Sequence, residues 1–222
     1  VVWRQASAAQ LAAPSVPPRI ARQHDAAVRV HESMVSNFSR AMIGGVTLTD
    51  KKLVEIIQQN KGEVPEALQL SDDKEPWSIT FAANDPVNAV FADNTIRFAI
   101  RGRRFQLGDR TVSNTLEMSA VYTMEKTPEG ARLVRQGDVS VDYIDLRRNP
   151  SPEQIIVRTV MREKFEALFV PEFNTTGITL PGRWEHAGKL HLEHIAAQNG
   201  WLSLAWLQAV GTPADSRLAQ SN

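Results

Sequence analysis

The residues best suited to chemistry gather late in the chain. His186, His191 and His194 stand beside Glu185 and Glu193. Imidazole and carboxylate together can ligate a divalent cation or move a proton. A metal site needs three or four ligands aimed at one point. On a strand beginning near Lys189, side chains alternate, so His191 and Glu193 share a face and His194 points away. Without a bulge the three rings do not converge. No metal is expected here, and a hydrolase or metal enzyme built on these histidines ranks last among the functional readings.

Other chemical letters carry simpler meanings. His31-Glu32-Ser33 are consecutive residues of a helix start and point in different directions, so they form no relay. A capping role suits them better. No Gly-x-Ser-x-Gly elbow and no Ser-x-x-Lys motif occurs. Gly44-Gly45 lacks the Gly-Lys-Ser/Thr ending of a phosphate loop and reads as a helix stop. Asp138 and Asp142 fall on the polar face of a strand with Asp145 close by, where solvation accounts for them. Arg97, Arg101, Arg103 and Arg104 read as the wet side of a strand. The expectation is a protein without catalytic residues and without a cofactor.

Composition narrows the classes further. The 222 residues contain 25 Lys+Arg and 25 Asp+Glu, a formal net charge of zero. There is no basic excess of the kind nucleic-acid binders carry, so no nucleic acid is expected as a partner. Cysteine is absent, which removes disulfides, thiolate nucleophiles and cysteine-based metal sites. No apolar run reaches the length of a membrane span. Ala6-Ser7-Ala8 has the small-x-small form of a signal-peptidase site, and on that ground an extracytoplasmic place in the cell envelope is expected.

The elements that must position these residues follow from periodicity. Residues 1–24, rich in Ala, Gln and Pro, read as a leader or linker. Residues 25–210 read as one α+β domain, and 211–222 as a flexible tail. Val30, Met34, Phe38, Ala41 and Met42 recur at helical spacing and predict a helix over Val28–Ile43. Thr49-Asp50 can cap a second helix over Lys51–Gln59. The period then becomes two. Trp77, Ile79 and Phe81 alternate with polar residues, as do Ile96, Phe98 and Ile100, then Leu116 to Met124, then Val139, Val141 and Tyr143. Thr127-Pro128-Glu129-Gly130 is a hairpin loop. Ser151-Pro152 opens a helix with the stripe Val157, Met161, Phe165, Leu168, Phe169. Asn199-Gly200 joins two final strands. The last of these, Trp201–Leu207, is apolar on both faces and must be covered on both. The predicted architecture is a curved antiparallel β meander packed by amphipathic helices before and after it.

The methionines fall on the apolar stripes, and an adaptable Met-containing cavity is one use for them. Met34, Phe38, Met118, Tyr122, Met161, Phe165 and Trp206 are the candidate lining residues. Burying about 12 methylenes at ~0.8 kcal/mol each gives roughly 10 kcal/mol before association costs, so apolar contact alone can hold a lipid.

The order of elements resembles half of a tubular lipid-binding domain, the superfamily of bactericidal/permeability-increasing type proteins and their small bacterial relatives. Val28–Ile43 stands for the leading helix, Ile96–Tyr143 for the sheet, Gln154–Phe169 for the closing helix and Gly188–Leu207 for the last hairpin. The extra helix Lys51–Gln59 and the missing second half depart from the pattern. The resemblance implies an apolar groove between helix and curved sheet, no cofactor and a non-cytoplasmic location. Two readings lead: a non-enzymatic binder of an apolar, lipid-like small molecule, and an interaction domain of a larger envelope protein. The second predicts an exposed apolar patch at a sheet edge or on the final hairpin.

Overall fold

Where the hydrophobic period is two, the chain is strand, and where it is near four, helix. The computed structural model describes residues 15–20, 24–60, 62–127, 130–176, 178–179 and 189–208. β1 (Ala26–His31) precedes α1 (Glu32–Ile43), and β2 (Thr47–Thr49) leads into α2 (Asp50–Gln59). A 3-10 turn (Glu66–Leu68) separates α2 from β3 (Trp77–Phe81), β4 (Val87–Ala92) and β5 (Thr95–Leu107). β6 (Arg110–Val112), β7 (Leu116–Thr127), β8 (Gly130–Arg135) and β9 (Ser140–Tyr143) follow. α3 (Pro152–Leu168), β10 (Glu172–Thr176), β11 (Ile178–Thr179), β12 (Lys189–Gln198) and β13 (Trp201–Gln208) complete the described order.

The fold is α+β, and every described strand pair is antiparallel. One sheet runs β10-β8-β7-β5-β3-β2, with β4 and β6 also pairing with β5 and β9 with β7. A second, four-stranded sheet runs β1-β13-β12-β11. The final hairpin therefore belongs to its own sheet.

The leading helix is shorter than its sequence pattern predicts. Val28 and Val30 belong to β1, which pairs with β13 from Ala26 opposite Trp206 to His31 opposite Trp201. The Ala-Val-Arg-Val alternation suits an edge strand as well as a helix stripe, and the partner strand decides it.

The main core lies on one face of the large sheet. Leu116, Met118 and Tyr122 of β7 alternate inward against Val157, Met161 and Phe165 of α3. Ser151 caps α3 by accepting from Gln154 N at 3.3 Å, and the Gln154 side chain accepts from Ser151 N at 2.7 Å. Two orphan donors are thus satisfied reciprocally. The register slip between β3 and β5 leaves Arg103 as an extra residue, so Gly102 and Phe105 both face this core. A Cβ at Gly102 would stand 2.5 Å from Phe105 Cζ, so only glycine fits.

The opposite face is polar, as expected. Glu117 on β7 takes Arg97 at 2.5 Å and Arg101 at 2.7 Å from β5. Burial pushes the Glu117 carboxyl up, but the hydrogen bonds and charges of the two arginines outweigh it and hold its pKa below the ordinary value.

β13 meets the demand for cover on both faces. Leu202, Leu204 and Trp206 face the clusters formed with the large sheet. On the other face Ser203 and Ala205 are buried, and Trp201 Nε1 donates to Ser15 Oγ at 2.9 Å. Asn199 and Gly200 take positive φ of 52° and 80°, as a two-residue hairpin turn of this twist requires.

Candidate interaction surface

α1 is held in place by polar side chains on its inner face. His31 caps it, accepting from Ser33 N at 3.2 Å, and its ring meets Trp201 edge-on at 4.9 Å. Glu32 Oε2 accepts from Phe91 N at 3.1 Å. One turn and more later, Ser39 Oγ donates to Val87 O at 3.0 Å and accepts from Val87 N at 3.3 Å. Both partners lie on β4, so α1 runs along that strand's open edge and satisfies backbone groups that another chain would otherwise pair with. Val35 and Ile43 add apolar contact on the same inner side. Gly44 ends the helix, its N–H donating to Arg40 O at 3.1 Å. A Cβ at this glycine would lie 2.6 Å from Arg40 O and 2.8 Å from Ala83 O.

The consequence falls on the other face. Met34, Phe38 and Met42, spaced four apart, are 58%, 65% and 61% exposed. Val46, just past the helix, is exposed too. The sequence pattern predicts this stripe to be inward-facing, and the structure corrects that. The periodicity identifies the helix but not which face is buried. Apolarity alone predicts that the richer side packs inward, while Glu32 and Ser39 anchor the less apolar one.

The other candidate lining residues lie elsewhere. Met118, Tyr122, Met161 and Phe165 come together in the main core, each at most 3% exposed. They are buried together between α3 and the sheet, where the implied groove would run. The Tyr122 hydroxyl donates to Val170 O at 3.0 Å. Trp206 belongs to a third cluster with Ala131, Leu190 and Leu192. The seven positions thus form three groups, of which only the pair on α1 is open to solvent.

The histidine region departs from strict alternation. The pairing of β12 with β13 slips between Leu192 and His194, making Glu193 an extra residue. His191 then sits opposite Leu207 and His194 opposite Ala205, on one face. Burial, with the charges of His24, Lys126 and Arg29, lowers the His194 pKa and favours its neutral form. Glu193 meets Lys126 at 3.2 Å. His186 and Glu185 lie outside the described residues. Among the described residues, no group of three His, Cys, Asp or Glu side chains is placed to hold a metal ion. No described helix is long and apolar enough to cross a membrane.

No family model matches this chain, and no curated protein sequence matches it significantly.

Proposed function

We propose that this protein is a non-enzymatic interaction domain that binds a protein partner through the outer stripe of α1. The observation that carries this is the exposure of Met34, Phe38 and Met42 on a helix whose inner face is already satisfied. Three large apolar side chains in a row on a rigid helix form the contiguous patch that marks contact surfaces. Methionine adapts its shape to a partner, and phenylalanine supplies area. Full burial of the three contributes about 5 kcal/mol before association costs. A partner presenting an apolar helix or loop meets them at i, i+4, i+8 spacing. The packed positions around Met118 and Met161 favour this reading over an enclosed lipid.

The test is a photo-crosslinking residue at position 38 of the full chain in its native cells, with the adduct identified and then purified. The purified partner should bind the wild-type chain, and M34S/F38S/M42S should weaken that binding at least about tenfold without lowering thermal stability. Undiminished binding by the triple variant would refute the assignment. Crosslinks to lipid alone, or to a second copy alone, would reassign the stripe to a membrane or a dimer.

A further inference from the structure

A second feature of the fold points to a ligand of different chemistry. A cleft of about 590 Å³ opens between the start of α2, the 3-10 turn, the loop before β3, and α3. That size suits a small organic molecule. Its least expected wall residue is Lys164, which lies on the buried stripe of α3 with Val157, Met161 and Phe165 and is only 7% exposed. An ammonium in such a place needs strong compensation. Its partners are the neutral carbonyl of Ala67 and the outward-reaching Glu163 at 3.3 Å. Lys74 Nζ donates to the adjacent carbonyl, that of Glu66, at 2.9 Å. The two ammonium groups thus bond neighbouring carbonyls of the 3-10 turn, and both side chains, with that of Lys51, line the same cleft.

The wall carboxylates are mostly engaged with other groups. Asp50 accepts from Lys51 N at 2.6 Å and from Trp77 N at 3.2 Å. Both oxygens of Glu75 accept from Arg110 Nη1, at 3.0 and 2.8 Å. Amide donors leave the Asp50 charge in place, so Asp50 and Asp72 are the competing negative groups at the cleft, with Asp72 the one without a backbone role in the fold. Leu68, Leu70 and Trp77 add an apolar wall beside the cations. We infer that the cleft binds a small organic oxyanion, a phosphate or carboxylate carrying an apolar body. Its charged end would sit at the Lys74–Lys164 pair, its body against Leu70 and Trp77. Charge-assisted hydrogen bonds from two ammonium groups supply the recognition.

Amide chemical-shift titration of the full chain with hexyl phosphate tests this, with hexanol and sodium chloride as controls. The expected result is a saturable shift at Ala67, Leu68 and the Trp77 indole that neither control reproduces. K74M and K164M should each weaken binding about tenfold, and D72N should tighten it. Phosphatidic acid vesicles that compete would make the oxyanion a lipid headgroup, and vesicles that do not would make it a soluble molecule; either result keeps the site. No saturation, equal shifts with sodium chloride at matched ionic strength, or unweakened binding by K74M would overturn the inference. Lys74 is exposed, so K74M decides the matter even if K164M fails to fold.

Discussion

α1 and α3 carry nearly the same apolar signature and put it to opposite use. Met34, Phe38 and Met42 on α1 repeat every four residues, and so do Val157, Met161 and Phe165 on α3. On α3 the stripe is sealed against β7, and on α1 it faces water. The difference lies on the reverse sides of the two helices. The back of α1 holds Glu32 and Ser39, which hydrogen-bond the exposed edge of β4. The back of α3 has one comparable bond, near its C-terminal end, where Glu166 Oε1 accepts from Val139 N at 2.7 Å, while Ile155 and Ile156 are exposed singly in the first turns. A helix docked by polar contacts to backbone is free to leave its apolar side unused within its own chain. Apolar periodicity therefore shows that a helix exists, and on α1 the polar residues between the stripes mark the side that is turned inward.

The sharpest way to break this comparison is to truncate matching residues. Met161→Ala should cost about 2–5 kcal/mol by chemical denaturation, because it empties core volume. Phe38→Ala should stay within about 0.5 kcal/mol of wild type, as exposed substitutions do. Equal costs would mean that the α1 stripe is covered. Next comes the anchor itself. Ser39→Ala should cost about 1–3 kcal/mol, since it leaves the Val87 N–H without its partner. It should also speed hydrogen exchange along β4 while leaving α3 unchanged. Ser151→Ala should cost about 1 kcal/mol by opening the capping box, with exchange rising at the start of α3 and not in α1. The smallest effect on stability belongs to M34S/F38S/M42S, whose melting temperature should equal wild type or exceed it. A fall of several degrees would place those side chains inside a packed interface.

Much of the fold was legible because its signals are local. Thr49 and Ser151 announce their caps, Asn199-Gly200 its turn, and Leu116 to Met124 its alternation, since each depends on residues a few positions apart. What failed to show depends on distant partners. Val28 and Val30 become strand because β13 lies beside them, 170 or more positions along the chain. The slip at Glu193 leaves no mark in the sequence, yet it brings His191 and His194 to one face. The polarity of α1 was partly readable: Glu32 and Ser39, seven apart, share its back, and a Glu/Ser face against a sheet edge is a recognisable device. Lys164 was readable too, as a lysine in register with Met161 and Phe165, the one charge on an otherwise apolar stripe. Its partners on the 3-10 turn were not, because nothing local ties Ala67 to α3.

Methionine oxidation mapped by mass spectrometry tests the central claim most directly. The five methionines report on both helices and on β7. Brief peroxide treatment of the native full-length chain should oxidise Met34 and Met42 rapidly and leave Met118 and Met161 protected until the protein unfolds. Protection of Met34 and Met42 equal to that of Met161 in the isolated protein would contradict it, because the stripe would then already be covered.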